Sequence, residues 1–452
     1  MPYGCFRHCF FPCISTLTRL NINKKLVMAY EKNSHSRDPH RWVVFGVISS
    51  VYFLVFFHRV STSVIAPDLL VTFNTNATAL GFMSSMYFYL YALEQPLVGQ
   101  LTDALGPRKV VGFWSLAATV GCVLFGLAPT IGWATIGRGL IGFGVGGVYV
   151  PAMKSFAQWF REKEFATMTG FFLAAGNIGA IVATTPLAWM SNVWGWRSSF
   201  LIIGGMTLML ALATLVFVRD HDTVIEPLSK KAPIQNSLSV TSWESVLRVL
   251  SSLRFWVFAA LFFGFFGPYF TFQGLWATPF IMSILNLDAL RASGLNMLIP
   301  VGFILGAPLS GWLADRILHS KVDILLCLLA LMTGIWAILA LGFHSITTGG
   351  MIVLLLAMGG IAGGFTTNLW ALVRETTSGP ILGLTSGLLN PFPLLGPAIL
   401  QGWTGAIVNR MDRVNGIYPP AAYKNAFTVC LIFIISCLIL CAVFRKLLPK
   451  RD

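Results

Sequence analysis

Gly99-Gln100-Leu101-Thr102-Asp103 and Gly311-Trp312-Leu313-Ala314-Asp315 are two copies of one loop. Each closes a long apolar stretch, and 315 − 103 = 212 positions separate them in a chain of 452 residues. At nearly the same offset Gly146-Gly147 pairs with Gly359-Gly360, Arg161-Glu162 with Arg374-Glu375, Gly170 with Gly383, and Asn177 with Asn390 (390 − 177 = 213). Self-similarity at half the chain length is the mark of a duplicated unit. The fold therefore consists of two related halves.

Composition says where those halves live. Hydrophobic residues make up 56% of the chain and charged residues 11%, with a mean hydropathy of +0.75. Soluble domains carry about 25% charged residues, so too few charges remain to coat a soluble protein of this size. A hydrocarbon core about 30 Å thick takes roughly 20 apolar residues per helix. About twelve such stretches can be counted, near 42–66, 78–101, 109–129, 132–157, 165–190, 198–218, 255–282, 291–314, 322–343, 348–373, 383–408 and 423–445. The expectation is an all-α membrane protein of twelve transmembrane helices in two six-helix bundles, 42–218 and 255–445. A tail over 1–41, a linker over 219–254 and a tail over 446–452 complete the division.

The net charge of +14 would point to nucleic acid in a soluble protein. Here about 24 of the 31 Lys and Arg fall on one side of the expected membrane, and only about 5 in the opposite loops. The positive-inside bias places both tails and the 219–254 linker (Arg219, Pro227, Lys230, Lys231, Pro233) in the cytoplasm. Residues 1–41 lack the apolar core and cleavage site of a signal peptide. The partners expected are a bilayer and a small solute, with no nucleic acid and a monomeric chain.

Other function classes find little support. Cys122, Cys327, Cys430, Cys437 and Cys441 sit in apolar stretches as small buried thiols. Cys5, Cys9 and Cys13 share a helical face and could be lipidated or bind metal, but without the His or paired CxxC of a zinc site. Asn76-Ala77-Thr78 fits a glycosylation acceptor. Gly142-Phe143-Gly144-Val145-Gly146-Gly147 reads as helix packing rather than a phosphate cradle. No nucleophile, metal cluster or cofactor motif stands out, so neither an enzyme nor a cofactor is expected.

The informative residues are polar groups deep in apolar helices. Arg59, in Tyr52-Phe53-Leu54-Val55-Phe56-Phe57-His58-Arg59, would cost from about 2.5 to above 10 kcal/mol if left facing lipid, so it must face a cavity or a partner. His58 points about 100° away around the helix, as a proton-responsive neighbour or a packed core residue. Glu94, in Tyr91-Ala92-Leu93-Glu94-Gln95-Pro96, lies about 14 Å above Asp103 at 1.5 Å per residue. It either pairs with a base such as Arg59 or is neutralised by burial and carries a proton. Arg138 enters a Gly-rich run, and Lys154 lies nearer the cytoplasm. Asn177 and Asn390 need hydrogen-bond partners, as cavity-lining groups or as glue between helices. Tyr269, Gln273, Trp276, Asn368 and Gln401 are lining candidates in the second half. Adding 212 or 213 to 59 gives Thr271 or Phe272, so no arginine mirrors Arg59. One arginine among neutral donors suits a single carboxylate or an amphoteric solute better than a two-arginine phosphate clamp.

Gly99-Gln100-Leu101-Thr102-Asp103-Ala104-Leu105-Gly106-Pro107-Arg108-Lys109 resembles the loop between helices 2 and 3 of the major facilitator superfamily. Gly311–Arg316 resembles its degenerate copy between helices 8 and 9. Arg138-Gly139-Leu140-Ile141-Gly142-Phe143-Gly144 is similar to the helix-4 arginine motif, and Gly195-Trp196-Arg197-Ser198-Ser199-Phe200 precedes helix 6. Ala104 departs from the basic residue common after the loop aspartate. The branch most resembled is that of bacterial sugar-phosphate permeases and organic-anion transporters, in whose phosphate antiporters a helix-1 arginine like Arg59 and a basic site like Lys154 occur. The resemblance implies a secondary transporter in the cell membrane, working by alternating access. Its cargo would be a small organic anion or amino-acid-like solute, with proton symport as the coupling. Organic-anion or phosphate exchange, and a flux-free membrane sensor, are the rival readings. The polar residues and the resemblance together put Arg59, Asn177, Tyr269, Gln273, Trp276, Asn368 and Asn390 in substrate binding, and Glu94, His58 and Arg138 in proton coupling. Gating falls to Asp103, Arg108, Arg161, Glu162, Asp315, Arg374 and Glu375, because charges at helix ends can latch one access state through helix dipoles or basic partners.

Overall fold

A computed structural model describes residues 39–220, 243–313, 320–377, 379–414 and 417–447. The first helix, α1 (His40–Thr72), sets two reference levels: the near end, where it begins, and the far end, where it finishes. It is followed by α2 (Ala77–Leu105), α3 (Pro107–Gly126), α4 (Ile131–Gly146), α5 (Tyr149–Trp159), α6 (Glu162–Val182) and α7 (Thr185–Phe217). After α8 (Trp243–Leu250) the second half runs through α9 (Leu253–Thr271), a π turn (Phe272–Trp276), α10 (Ala277–Leu285), α11 (Ala289–Asn296) and α12 (Leu298–Leu313). It closes with α13 (Lys321–Leu341), α14 (Thr348–Thr376), α15 (Gly379–Leu389), α16 (Phe392–Val408) and α17 (Pro420–Leu447).

Among the described residues, ten helical spans are long and apolar enough to cross a membrane. Two of the expected passes fall outside that set for local reasons. The serines, tyrosines and Glu94 of α2 lower its hydropathy, and the eleventh pass breaks at Asn390-Pro391 into α15 and α16. Proline cannot donate its missing N–H to the preceding turn. The arrangement is consistent with twelve passes. Other expected spans shift at breaks: the fourth divides at Gly147-Val148 into α4 and α5, α6 ends at Val182 rather than near 190, and α7 starts at Thr185 and absorbs the expected 191–197 connection, bending at Gly195 (φ 78°).

The helix pairings repeat as the sequence does. In the first half α2 packs on α4, α3 on α4 and α7, and α1 on α6; in the second, α12 packs on α14, α13 on α14 and α17, and α9 on α16. Glycines make the tightest crossings. A Cβ at Gly142 would collide with the Tyr87 carbonyl, so α2 and α4 meet backbone to backbone there. This is how helices gain contact in lipid, where no hydrophobic force drives them together. Pro96 and Pro308 also repeat inside α2 and α12 (308 − 96 = 212).

Between the halves, α2 lies along α16, α6 meets α12, and α1 meets the π turn. Their hydrogen bonds gather toward the far end. The Thr278 backbone N–H donates to Ser63 Oγ at 3.1 Å, the Ala77 N–H to the Tyr418 hydroxyl at 2.9 Å, and Arg413 to the Leu70 carbonyl at 3.4 Å. Nearer the near end, Asn390 Nδ2 donates to Gln95 Oε1 at 2.6 Å.

Candidate substrate site between the halves

Tyr52, Phe56 and Arg59 stand at i, i+4 and i+7 on α1 and therefore share one face. Tyr87, Tyr91 and Glu94-Gln95 repeat that spacing on α2. The Arg59 guanidinium lies 4.3 Å from the Phe56 ring centroid and 4.8 Å from that of Phe270, which comes from the other half. Tyr52, Tyr87, Tyr91 and Tyr269 stand around it, the Tyr87 hydroxyl donating to the Val55 carbonyl at 2.9 Å. Cation–π contacts of this kind are worth about 0.5–2 kcal/mol, most when desolvated. Arg59 is buried, it has no acidic partner among the described residues, and its Nε has no hydrogen-bond partner. A guanidinium carries five donors and no acceptor. This one is held by ring faces and short of acceptors.

Opposite Arg59 the second half contributes an irregular backbone. Pro268 interrupts the α9 ladder, and the next turn is the π turn, which carries Gln273 and Trp276. Such π turns occur often at functional sites. The Arg59 carbonyl lies where a side chain on Gly274 would begin, so the two backbones touch. Trp276 Nε1 donates to Thr404 Oγ1 at 2.9 Å, and Gln401 Nε2 to the Phe270 carbonyl at 3.4 Å while its Oε1 is buried without a partner. The π turn falls at the positions that the repeat pairs with Arg59.

Glu94 makes no ion pair with Arg59. Its Oε2 accepts from Trp114 Nε1 at 2.7 Å, and its Oε1 is buried without a partner beside Gly146, where any Cβ would collide with it. Gln95, one residue on, donates to the Gly146 carbonyl at 3.2 Å and accepts from Asn390. The carboxyl thus sits inside the first half, one residue from a hydrogen bond that reaches the second.

His58 and Arg138 also turn inward. His58 is fully buried, with Nε2 3.6 Å from Cys122 Sγ and Nδ1 unpartnered; Arg138 Nη1 donates to the His58 carbonyl at 3.1 Å and its guanidinium lies 5.0 Å from the Tyr87 ring centroid. Tyr87 therefore stands between the two arginines. Asn177 and Asn390 do not bond one another: Asn177 donates to the Leu173 carbonyl of its own helix at 3.0 Å. Asn368 donates to Ser310 Oγ at 3.2 Å and to the Gly364 carbonyl at 2.9 Å, tying α14 to α12 rather than bonding at Arg59.

The near-end charges form separate clusters. Asp103 pairs with Lys154 at 2.7 Å, within its own half. Arg108 Nε donates to the Leu215 carbonyl at 2.7 Å, and its backbone N–H to Asp220 Oδ1 at 2.8 Å. Asp220 reaches that N–H because Gly106, at φ 85°, has no side chain to block it. Partial burial lifts the Asp220 carboxyl above the usual range, while the Arg108 N–H pulls the other way. Arg161 caps α6, where its N–H donates to Glu164; Glu164 pairs with Arg41 at 3.4 Å, and Glu375 with Lys321 at 3.5 Å. Arg374 lies in the last turn of α14. Asp315 and the Glu162 side chain lie outside the described residues, as do Cys5, Cys9 and Cys13.

Periodicity on α1 and α2 could have revealed Tyr52, Tyr87 and Tyr91 as a set, whereas nothing in the sequence ties Trp114 to Glu94.

Two repeated helical bundles meeting around a buried arginine define an integral multi-pass membrane protein with a polar site between its halves. Residues 48–400 match the family model described as Major Facilitator Superfamily, and the chain belongs to that family, one of transporters rather than enzymes. It is 24% identical over 245 residues to the hexuronate transporter of Escherichia coli, covering 53% of this chain but only 55% of that protein, about half the relative's length. It is 23% identical over 426 residues to a D-galactonate transporter of Escherichia coli, covering 87% and 94%. It is also 25% identical to a probable sulfoacetate transporter of Cupriavidus necator, covering 62% and 66%. Among solved structures, a bacterial homologue of the human lysosomal transporter Spinster, inward-facing and unoccupied, superposes with a TM-score of 0.70 at 17% identity, covering 92% of this chain and 100% of the other. The nucleoside transporter NupG gives 0.69 at 15%, covering 90% and 100%.

Proposed function

We propose that this chain is a secondary active transporter for a small organic anion, carrying its cargo by alternating access of a site centred on Arg59. The observation that carries the reading is Arg59 itself: a buried cation at the seam of the two halves, with no acidic partner among the described residues and a donor unmet. A planar fork fits a carboxylate in bidentate fashion, and the hexuronate and galactonate transporters are named for sugar acids. Tyr52, Tyr91 and Tyr269 offer hydroxyls for the remainder of such a solute, the Tyr87 proton being held by the Val55 carbonyl, with Gln273 beside them on the π turn. Asn177, Trp276, Asn368 and Asn390 act from the surrounding walls.

The cross-half bonds Ser63–Thr278, Ala77–Tyr418 and Leu70–Arg413 at the far end support a state with access from the near end. Segregated basic residues support a cytoplasmic near end in the cell membrane, and the chain works as a monomer. Glu94 is the proton carrier of a symport, with Arg138 and His58 as its electrostatic surroundings; Asp103–Lys154 and the other near-end charge clusters tune closure.

The test is uptake into proteoliposomes. Galactonate or a hexuronate should enter wild-type vesicles, faster with an inward proton gradient, and neutral galactose should not. Equal uptake of galactose, or no flux of any sugar acid, would overturn the reading.

A further inference from the structure

A cleft of about 240 Å³ opens at the near end of the second half, away from Arg59, between α8, the start of α9 and the α14–α15 connection. Its lining includes Arg248, Ser252, Arg254, Thr377 and Thr385. Both arginines are exposed, and neither has an acidic partner among the described residues. Ser252 is the N-cap residue of α9 but its side chain makes no capping bond, so backbone N–H groups of the first turn are left for another acceptor. Thr385 is only 5% exposed, lines the cleft, and has a buried Oγ1 with no hydrogen-bond partner. A buried hydroxyl without a partner forfeits about 1–3 kcal/mol.

The turn beside the cleft is pinned, and the surface around it is apolar. Trp256 Nε1 donates to the Leu250 carbonyl at 2.7 Å and fixes the turn from α8 into α9. Trp256, Leu247 and Leu253 leave between 48% and 68% of their surface uncovered around the cleft. Tryptophan and exposed leucines beside arginines are the composition of a membrane interface, where rings and stems sit at headgroup level.

We infer that this cleft is a phosphate site that holds the headgroup of an anionic phospholipid. The Arg248 and Arg254 guanidinia contact the phosphate, the Ser252 and Thr385 hydroxyls complete its hydrogen bonds, and the acyl chains lie along Leu253 and Trp256. Arginine suits phosphate because its planar donors meet two oxygens at once. A lipid bound here spans the starts of α9 and α15 and so braces the near end of the second half.

The experiment uses the full chain in nanodiscs of phosphatidylcholine alone or mixed with phosphatidylglycerol, with retained lipid counted by native mass spectrometry and the unfolding midpoint read in parallel. Phosphatidylglycerol should be retained and raise the midpoint. The double variant Arg248→Gln with Arg254→Gln should bind it about thirtyfold more weakly, and Thr385→Val, which keeps side-chain volume, should weaken it less. Inorganic phosphate at millimolar concentration should not substitute. Equal retention by wild type and double variant would overturn the inference. So would a midpoint raised by inorganic phosphate alone and not by phosphatidylglycerol.

Discussion

The two halves share a backbone plan and divide the chemistry. In the first, α2 and α4 cross with a carboxyl between them: Glu94 sits against Gly146 and is held by Trp114. In the second, the equivalent crossing of α12 and α14 has Gly306 at the place of Glu94 (306 − 94 = 212), packed on the Gly360 backbone. Arg138 has buried Met351 at its counterpart (351 − 138 = 213). Where the first half puts Arg59, the second puts a π turn. An intramembrane charge is expensive enough that its absence from one copy of a duplication is as informative as its presence in the other. The first half carries charge; the second supplies neutral donors, rings and an adaptable backbone.

That contrast can be broken at three places. The largest effect is expected at Glu94, where Glu94→Gln keeps an oxygen to accept from Trp114 but removes the titratable proton. Gradient-driven accumulation in proteoliposomes should vanish while solute exchange and folding persist; accumulation at the wild-type level would leave Glu94 a structural group. The second lies at the mirrored crossing. Gly306→Ala should destabilise by about 1–3 kcal/mol, because its Cβ would strike the Gly360 backbone, and a lower unfolding midpoint measures it. The smallest is Trp276→Phe, which removes the indole bond to Thr404 and should cost about 1 kcal/mol with modest loss of affinity. A change as large as that from Glu94→Gln would mean that the neutral half carries more of the function than its chemistry implies.

The duplication, the two-bundle plan and the depth of Arg59 were legible in the sequence because they rest on period, hydropathy and the price of a buried charge. The partner of Glu94 was not. Height along a helix gave the depth of Glu94 above Asp103 but not the direction of its side chain, which turns between α2, α3 and α4. Asn177 and Asn390 show the same limit: equivalence under the repeat does not make two residues touch, and each found a nearer acceptor. The breaks at Gly147, Gly195 and Asn390 follow from glycine and proline, yet hydropathy windows average across them. The π turn has no sequence period of its own, and only packing against α1 exposes it.

Arg59 is proposed as the anchor of an anionic solute, and ligand-induced stabilisation tests that most directly. At about 100 times its dissociation constant a ligand adds roughly 2.7 kcal/mol to folding, enough to read as a shift of the unfolding midpoint. Galactonate should raise the midpoint of the wild-type chain and galactose should not. Arg59→Lys, which keeps charge without the planar fork, should need more galactonate for the same shift, and Arg59→Ala should show none while eluting as an intact chain. A wild-type shift in Arg59→Ala would contradict the account.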